Sequence, residues 1–285
     1  MKTILVPTDF SLSAKNAARY AMHLGKQMRA NIKLCNAVYV PFEVPVTAPE
    51  LEYDAIEQLK GTAEKMMALD QLETSNDSFH PFVEYVAKIG AVTEVVANLT
   101  KNHDISLVVI GISGAGAMGE YFVGSTSREM VEAASLPILL VPKQAAFSML
   151  NKIAFATDLS KQDISVIHVL SGFARILDVE ILIVHIANHA LETKDLHRKQ
   201  KDEFLIEVTN KVNYHKIYYQ DILDHDIDNG LAWLAQNRQI QILAMVHRKH
   251  EFLHNIFEGS HTQKLRRRIE IPLLVFPPDC RNRVL

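Results

Sequence analysis

Glycines between residues 111 and 124 form the segment of this sequence whose residue types and spacing best suit binding chemistry. An apolar run from Leu107 to Ile110 predicts a strand that ends at Gly111. Gly114 and Gly124 follow, so the spacing is Gly-x2-Gly-x9-Gly. Because glycine has no side chain, a ligand can come close to the main-chain N–H groups. The glycines therefore predict a loop that can surround an anion.

Three hydroxyl side chains, those of Ser125, Thr126 and Ser127, come directly after the last of these glycines, and the helical pattern Arg128–Ala134 follows them. The first N–H groups of a helix lack partners within it, and the positive end of its dipole lies there, so an anion is stabilised. The loop and the helix start together predict a cradle for a polyphosphate. The spacing is neither the Walker pattern, which closes with Gly-Lys-Ser/Thr, nor the dinucleotide fingerprint GxGxxG after a first strand.

A turn of sequence Pro7-Thr8-Asp9 ends the first predicted strand, Thr3–Val6. Ligands of open α/β sheets bind outside the carboxyl ends of the strands, so Asp9 is predicted to lie near the glycine loop. A carboxylate at this place can contact a ligand, or it can cap the helix that follows. The residues themselves leave both roles open.

Strands and helices alternate along the first half of the chain, which predicts an α/β fold with a doubly wound parallel sheet and right-handed crossovers. The later predicted strands are Ile32–Val38, Pro81–Val86, Ile105–Ile110 and Ile138–Val141. The predicted helices run from near Ser11 to Met28, from Glu50 to Leu72, from Ala91 to Lys101 and from Ser125 onward.

The second half of the sequence repeats the first. Four segments of the second half match four of the first in the same order. Ile153–Ser160 matches Ile4–Ser11, and Ile181–Ile186 matches the second strand. Glu258–Ser260 matches Val123–Ser125, and Ile271–Pro277 matches Leu136–Pro142. Such ordered matches predict a tandem duplication. A length of 285 residues also suits two domains. We predict domains at residues 1–145 and 150–280.

The glycine spacing and the repeat resemble the universal stress protein family, and the resemblance covers nearly the whole chain. It implies two tandem domains of the adenine-nucleotide alpha-hydrolase-like fold, related by a pseudo-twofold axis. It also implies that the last strands of the two domains, Ile138–Val141 and Leu273–Phe276, pair with one another. The ligand implied for the first domain is ATP, with Mg²⁺ accompanying the nucleotide.

The resemblance also assigns nucleotide contacts by position. In the family, the aspartate of the first turn lies beside adenine and ribose, and a residue at the position of Ala37 contacts adenine through its backbone. The phosphates rest on the glycine loop and the Gly-Ser segment that follows it. The implied contacts are Pro7, Thr8, Asp9, Ala37, Ile110, Gly111, Ile112, Gly114, Gly124, Ser125, Thr126 and Ser127.

The second half departs from this pattern. Val246 and Lys249 stand where Gly111 and Gly114 stand in the first half. Side chains at these positions prevent the close backbone approach that a phosphate needs. Although Asp158 remains, we expect the second domain to bind no ATP, so the chain should carry one nucleotide.

Histidines crowd the degenerate loop of the second half. His247, His250 and His254 are candidate zinc ligands, with His185 or His189 as further ones. The basic residues of this loop can alternatively hold an anion by charge, and a solvated loop without a specific role explains the same composition. The sequence leaves the three interpretations open.

The net charge of −3 argues against a nucleic-acid-binding protein, because such binding depends on neutralising phosphates. The start of the sequence lacks a cleavable signal pattern, and no stretch is long enough to span a membrane, so we expect a cytoplasmic protein. The two cysteines, Cys35 and Cys280, form no CxxC pair, and Cys35 is predicted to be a core residue.

Three functions remain at this stage. The first is a nucleotide-binding stress or signalling protein in which ATP shifts a conformation that an unidentified protein partner reads. In this case no catalytic residue is assigned, and at most slow hydrolysis or self-phosphorylation of Ser125 or Ser127 occurs. The second is an ATP-consuming enzyme of the related fold, although the chain lacks an SGGxDS-type loop. The third is an interaction module without a nucleotide. Whether two chains pair further is left open.

Overall fold

The computed structural model describes residues 2–39, 48–73, 79–102, 104–112, 125–187, 194–237, 239–247 and 271–277. These residues form two compact units, the first ending at Phe147 and the second beginning at Ser148. No helix within the described ranges is both long enough and apolar enough to span a bilayer.

The first unit contains five strands and four helices among its described residues. They are β1 (Thr3–Pro7), α1 (Leu12–Met28), β2 (Asn31–Val38), α2 (Ala48–Glu73), β3 (Val83–Ile89), α3 (Val92–Leu99), β4 (Ile105–Ile112), α4 (Ser125–Glu132) and β5 (Ile138–Pro142). The strand order is β3-β2-β1-β4-β5, and each neighbouring pair is parallel. The predicted doubly wound parallel sheet is therefore confirmed.

The strand order reverses direction at β1. From β1 the chain adds β2 and β3 on one side, and it then crosses back to add β4 and β5 on the other side. In this class of sheet, the crevice outside the carboxyl ends of the strands at the point of reversal is where ligands bind. In the first unit this switch point lies between β1 and β4.

The prediction that Gly111 breaks its strand is wrong. Strand β4 continues to Ile112, with Gly111 paired to Val141 and Ile112 paired to Pro142 in β5. A glycine is expected to weaken a strand, but its neighbours on β5 complete the ladder here. The edge strand β3 was predicted at Pro81–Val86 but runs from Val83 to Ile89, where Ile89 pairs with Val38.

The second unit has the same architecture in its described residues. Its elements are β6 (Lys152–Thr157), α5 (Lys161–Leu177), β7 (Glu180–Ala187), α6 (Lys194–Lys211), β8 (Ile217–Leu223), α7 (Ile227–Asn237), β9 (Ile242–Val246) and β10 (Leu273–Phe276). The strand order is β10-β9-β6-β7-β8, again with parallel neighbours. The duplication of sequence is thus a duplication of fold.

Candidate functional site

The residues predicted to contact a ligand follow three adjacent strands of the first unit. Asp9 comes two residues after the end of β1, and Ala37 and Gly111 are the second-last residues of β2 and β4. Because the strand order is β2-β1-β4, these residues share the carboxyl edge of the sheet, and Asp9 and Gly111 flank its switch point. Sequence position alone had suggested this convergence.

Hydrogen bonds within the segment Thr8–Ser11 fix the turn that carries Asp9. The buried Thr8 hydroxyl oxygen accepts from the Phe10 N–H at 3.0 Å, and the Asp9 Oδ1 accepts from the Ser11 N–H at 3.0 Å. The Ser11 hydroxyl oxygen then accepts from the Ala14 N–H at 3.2 Å, which caps α1. Asp9 is exposed, so its carboxylate both shapes the turn and faces solvent.

Main-chain and side-chain hydrogen bonds join this turn to β2. The Thr8 N–H donates to the Cys35 carbonyl at 2.8 Å, and the Asn36 Nδ2 donates to the Thr8 carbonyl at 2.7 Å. Pro7, the last residue of β1, is paired with Cys35. Burial raises the pKa of the Cys35 thiol to about 12, so this cysteine is an inert core residue, as predicted.

Gly111 is placed where a side chain would collide with α1. A Cβ built on Gly111 would lie 2.3 Å from the Ser13 carbonyl oxygen and 2.8 Å from the Ala14 nitrogen, closer than such atoms pack. Helix α1 packs on β4 and β5 as well as on β1 and β2. The glycine is therefore required for close packing between helix and strand, independently of any ligand.

The hydroxyl residues after the glycine loop lie in the first turn of α4, which begins at Ser125, as predicted. Ser125 and Thr126 are exposed, and Ser127 is buried. Ile110 and Ile112 are buried in β4. Gly114 and Gly124, the remaining glycines of the predicted cradle, lie outside the described residues. The structure thus describes the strand and the helix on either side of the loop.

The second unit repeats the turn almost bond for bond. The Leu159 N–H donates to the Thr157 hydroxyl oxygen at 2.9 Å, and the Ser160 N–H donates to the Asp158 Oδ1 at 2.9 Å. The third residue of each turn has a positive φ, 63° at Phe10 and 64° at Leu159. The turn geometry is therefore common to both units and does not by itself distinguish one unit from the other.

Two ionisable side chains distinguish the second unit. Asp163, in the first turn of α5, is 1% exposed and accepts a hydrogen bond from the Thr157 hydroxyl at 2.6 Å. His185, on β7, is buried with its Nδ1 2.9 Å from the Thr157 carbonyl oxygen. The corresponding residues of the first unit are Ala14 and Asn36.

The histidine candidates for a metal are not assembled into a site by the described residues. His247 lies just after β9, where its N–H donates to the Phe276 carbonyl at 2.7 Å, whereas His250 and His254 lie outside the described residues. Within the described ranges, no group of three histidine, cysteine or acidic side chains is placed to hold a metal ion. The pairing of His185 with Thr157 instead gives that histidine a structural contact.

Asn36 and Asp163 were missed by the sequence analysis. A signal existed for Asn36, which is a polar residue in the mainly apolar stretch of β2. Asp163 gave no such signal, because acidic residues are common in the first turn of helices and burial is not visible in sequence.

Comparisons with known proteins agree with this architecture. The chain is 22% identical to the universal stress protein Slr1230 of Synechocystis sp., over 97% of this chain and 100% of that protein. The solved structure of a universal stress protein from Archaeoglobus fulgidus DSM 4304 covers 97% of this chain and 98% of its own, with a TM-score of 0.70 at 17% identity, which shows the same fold. A universal stress protein solved in complex with cAMP covers 46% of this chain and 99% of its own, with a TM-score of 0.36 at 13% identity.

A family model described as the Universal stress protein family matches the chain twice, at residues 1–142 and at residues 149–277. The two matches fall on the two halves of the sequence repeat. The chain belongs to the universal stress protein family, with two copies of its domain in tandem.

Proposed function

We propose that the first unit binds ATP, with Mg²⁺ accompanying the nucleotide, at the carboxyl edge of its sheet. The observation that carries the proposal is that Asp9 and Gly111 flank the switch point between β1 and β4. In doubly wound sheets this is the place where nucleotides bind. The exposed Asp9 carboxylate is suited to the ribose hydroxyls or the adenine, and the main chain of Ala37 on β2 is suited to the adenine edge.

The phosphates would lie on the glycine loop and the start of α4. Support comes from the helix beginning at Ser125, where exposed Ser125 and Thr126 accompany the first N–H groups of the helix. A helix start of this kind stabilises an anion through unpaired donors and the helix dipole. The loop's glycines, Gly114 and Gly124, would let the backbone approach the triphosphate closely.

We infer further that the second unit binds no ATP and serves as a structural or regulatory partner. Val246, the last residue of β9, is paired with Phe276 as Gly111 is paired with Val141. The second unit thus carries a side chain at the position where the first unit has a glycine packed against the backbone of α1. ATP in the first unit would act by shifting a conformational equilibrium that a protein partner reads.

No group among the described residues around the switch point is assigned the role of a catalytic base. Efficient phosphoryl transfer depends on charges placed to stabilise the transition state. We therefore propose that binding, rather than turnover, is the function, with slow hydrolysis as the most that occurs. A steady-state ATPase assay separates this proposal from an ATP-consuming enzyme.

The test of the site is the double substitution Gly114→Val and Gly124→Val. Side chains at both positions should abolish ATP binding, measured by isothermal titration calorimetry, while the melting temperature in buffer changes little. Gly259→Val is the matched control, because Gly259 is the sequence counterpart of Gly124 in the second unit. Unchanged ATP affinity in the double variant, or equal loss in the control, would refute the assignment.

A further inference from the structure

We infer that Asn36 is a positioning residue for the proposed nucleotide, acting through the Thr8 carbonyl to hold Asp9 in place. This role rests on the proposed ATP site of the first unit, and it adds a residue that orients a ligand-binding side chain without contacting the ligand. The Asn36 side chain is half-buried on β2, and its Nδ2 donates to the Thr8 carbonyl oxygen at 2.7 Å. This hydrogen bond reaches from one strand to the turn that follows its neighbour.

The hydrogen bond fixes the orientation of a whole peptide group. The Thr8 carbonyl and the Asp9 N–H belong to one planar unit, which ends at the Asp9 Cα. With the Thr8 N–H bound to the Cys35 carbonyl at 2.8 Å and the Thr8 carbonyl bound to Asn36, both main-chain polar groups of Thr8 are anchored to β2. The direction in which the Asp9 side chain leaves the backbone is therefore set from β2.

The turn needs this external anchor because it contains a strained residue. Phe10 has a φ of 63°, in the left-handed region, which is unfavourable for a residue with a Cβ. Local bonds from Thr8 and Asp9 to the Phe10 and Ser11 N–H groups oppose that cost. Unlike these local bonds, the hydrogen bond from the Asn36 side chain connects the turn to a separate strand, β2.

The second unit supplies an independent observation. In its register, Ala156 pairs with Val184 as Pro7 pairs with Cys35, so His185 occupies the place of Asn36. The His185 Nδ1 lies 2.9 Å from the Thr157 carbonyl oxygen, which is the counterpart of the Thr8 carbonyl. Two chemically different side chains thus form hydrogen bonds to the equivalent carbonyl of each unit. What the position requires is a donor to that carbonyl.

The equivalence supplies both the rescue variant and the control. Asn36→Leu keeps the side-chain size and removes the donor, and it should weaken ATP binding on the order of tenfold, the equivalent of one hydrogen bond. Asn36→His introduces the donor that the second unit uses and should restore affinity to within about threefold of the wild type. His185→Leu breaks the matching bond in the second unit and should leave ATP affinity unchanged. If Asn36→Leu does not fold, Asn36→Ala takes its place.

A double-mutant cycle with Asp9→Ala shows whether Asn36 acts through Asp9. Calorimetric titration of ATP should show that Asn36→Leu lowers affinity in the presence of Asp9 and has little further effect in its absence. Additive losses, failure of Asn36→His to restore binding, or wild-type affinity in Asn36→Leu would each overturn the inference while leaving the ATP site standing. Absence of ATP binding by the wild-type chain would overturn the proposed function, and the inference with it.

Discussion

The carboxyl group of Asp163 is a chemical difference between the two units at the scale of single residues. It is 1% exposed and lies six residues after Thr157, where the first unit has Ala14 six residues after Thr8. Burial raises the pKa of Asp163 to about 6, and the hydrogen bond from Thr157 opposes this effect only in part. The second unit therefore contains a carboxyl group that titrates close to neutrality.

This raised pKa predicts a pH dependence of stability. Between about pH 4 and pH 6 the folded chain holds a proton on Asp163 that the unfolded chain releases. The free energy of unfolding therefore falls as pH rises through this window, because the buried carboxyl group must ionise. Asp163→Asn should therefore raise the free energy of unfolding at pH 7.5 by on the order of 2 kcal/mol, and by much less at pH 4. Urea unfolding at both pH values measures the difference.

Asp158→Asn is the matched control for this prediction, since Asp158 is exposed and uses its Oδ1 in the turn, as an asparagine also can. It removes the same charge from a neighbouring position and should change stability little at either pH. An Asp163→Asn effect that is equal at pH 4 and pH 7.5 would contradict the account of Asp163.

The roles of single residues were the part of the site least accessible from the sequence. Asp9 was assigned to the carboxyl edge because it follows an apolar strand, which is a local pattern. Asn36, in contrast, acts on a carbonyl 28 residues away, and His185 does the same in its unit. Such contacts depend on strand register, which the sequence repeat did not specify residue by residue. His185 was accordingly considered as a metal ligand when its visible partner is a main-chain carbonyl.

At the scale of elements, the approach of α1 to β4 is what Gly111 makes possible. Helix α1 packs on β4 and β5, whereas the corresponding helix α5 packs mainly on β6, β7 and α6 among the described elements. The difference accords with Val246 standing in place of Gly111. One glycine thus serves the packing of the first unit, in addition to its proposed role beside the phosphates.

Gly111→Ala should destabilise the first unit by roughly 1–3 kcal/mol, because the added methyl group overlaps backbone atoms of Ser13 and Ala14 that cannot move freely. The midpoint of urea unfolding measures the loss. Gly61→Ala provides the control, since Gly61 lies within α2 and, apart from its chain neighbours and its own helix backbone, nothing lies within 4 Å of a Cβ built there. That change should be neutral or stabilising by roughly 0.5–1 kcal/mol. Equal effects of the two substitutions would show that packing against α1 does not explain Gly111.

Most elements were predictable because their apolar periodicity is strong. The two errors have physical reasons. Strand β3 lies at the edge of its sheet, and Lys88 near its end forms an ion pair with Glu52 at 3.7 Å. Such polar residues interrupt the apolar pattern from which the end of the strand is predicted. The sequence predicts too early an end for β4 because glycine usually weakens a strand, but Gly111 stays in the ladder with Val141.

At the scale of the whole molecule, one domain fold is present twice, with different residues at the strand end beside the switch point. Both units keep the threonine–aspartate turn, its positive-φ residue and the side-chain bond to the carbonyl of the threonine. Only the first keeps glycine at the end of the strand beside the switch point. We propose that the chain has two units of the same fold and one nucleotide site, so that the second unit serves stability or regulation.

The most direct measurement of this asymmetry is the number of ATP molecules bound per chain. The protein is first freed of any nucleotide carried through purification, and ATP with Mg²⁺ is then titrated by calorimetry. We expect one site per chain, unaffected by Asp158→Ala in the second unit and lost in the Gly114→Val and Gly124→Val variant. Two sites per chain, or a single site that disappears with Asp158→Ala and survives the glycine substitutions, would contradict it.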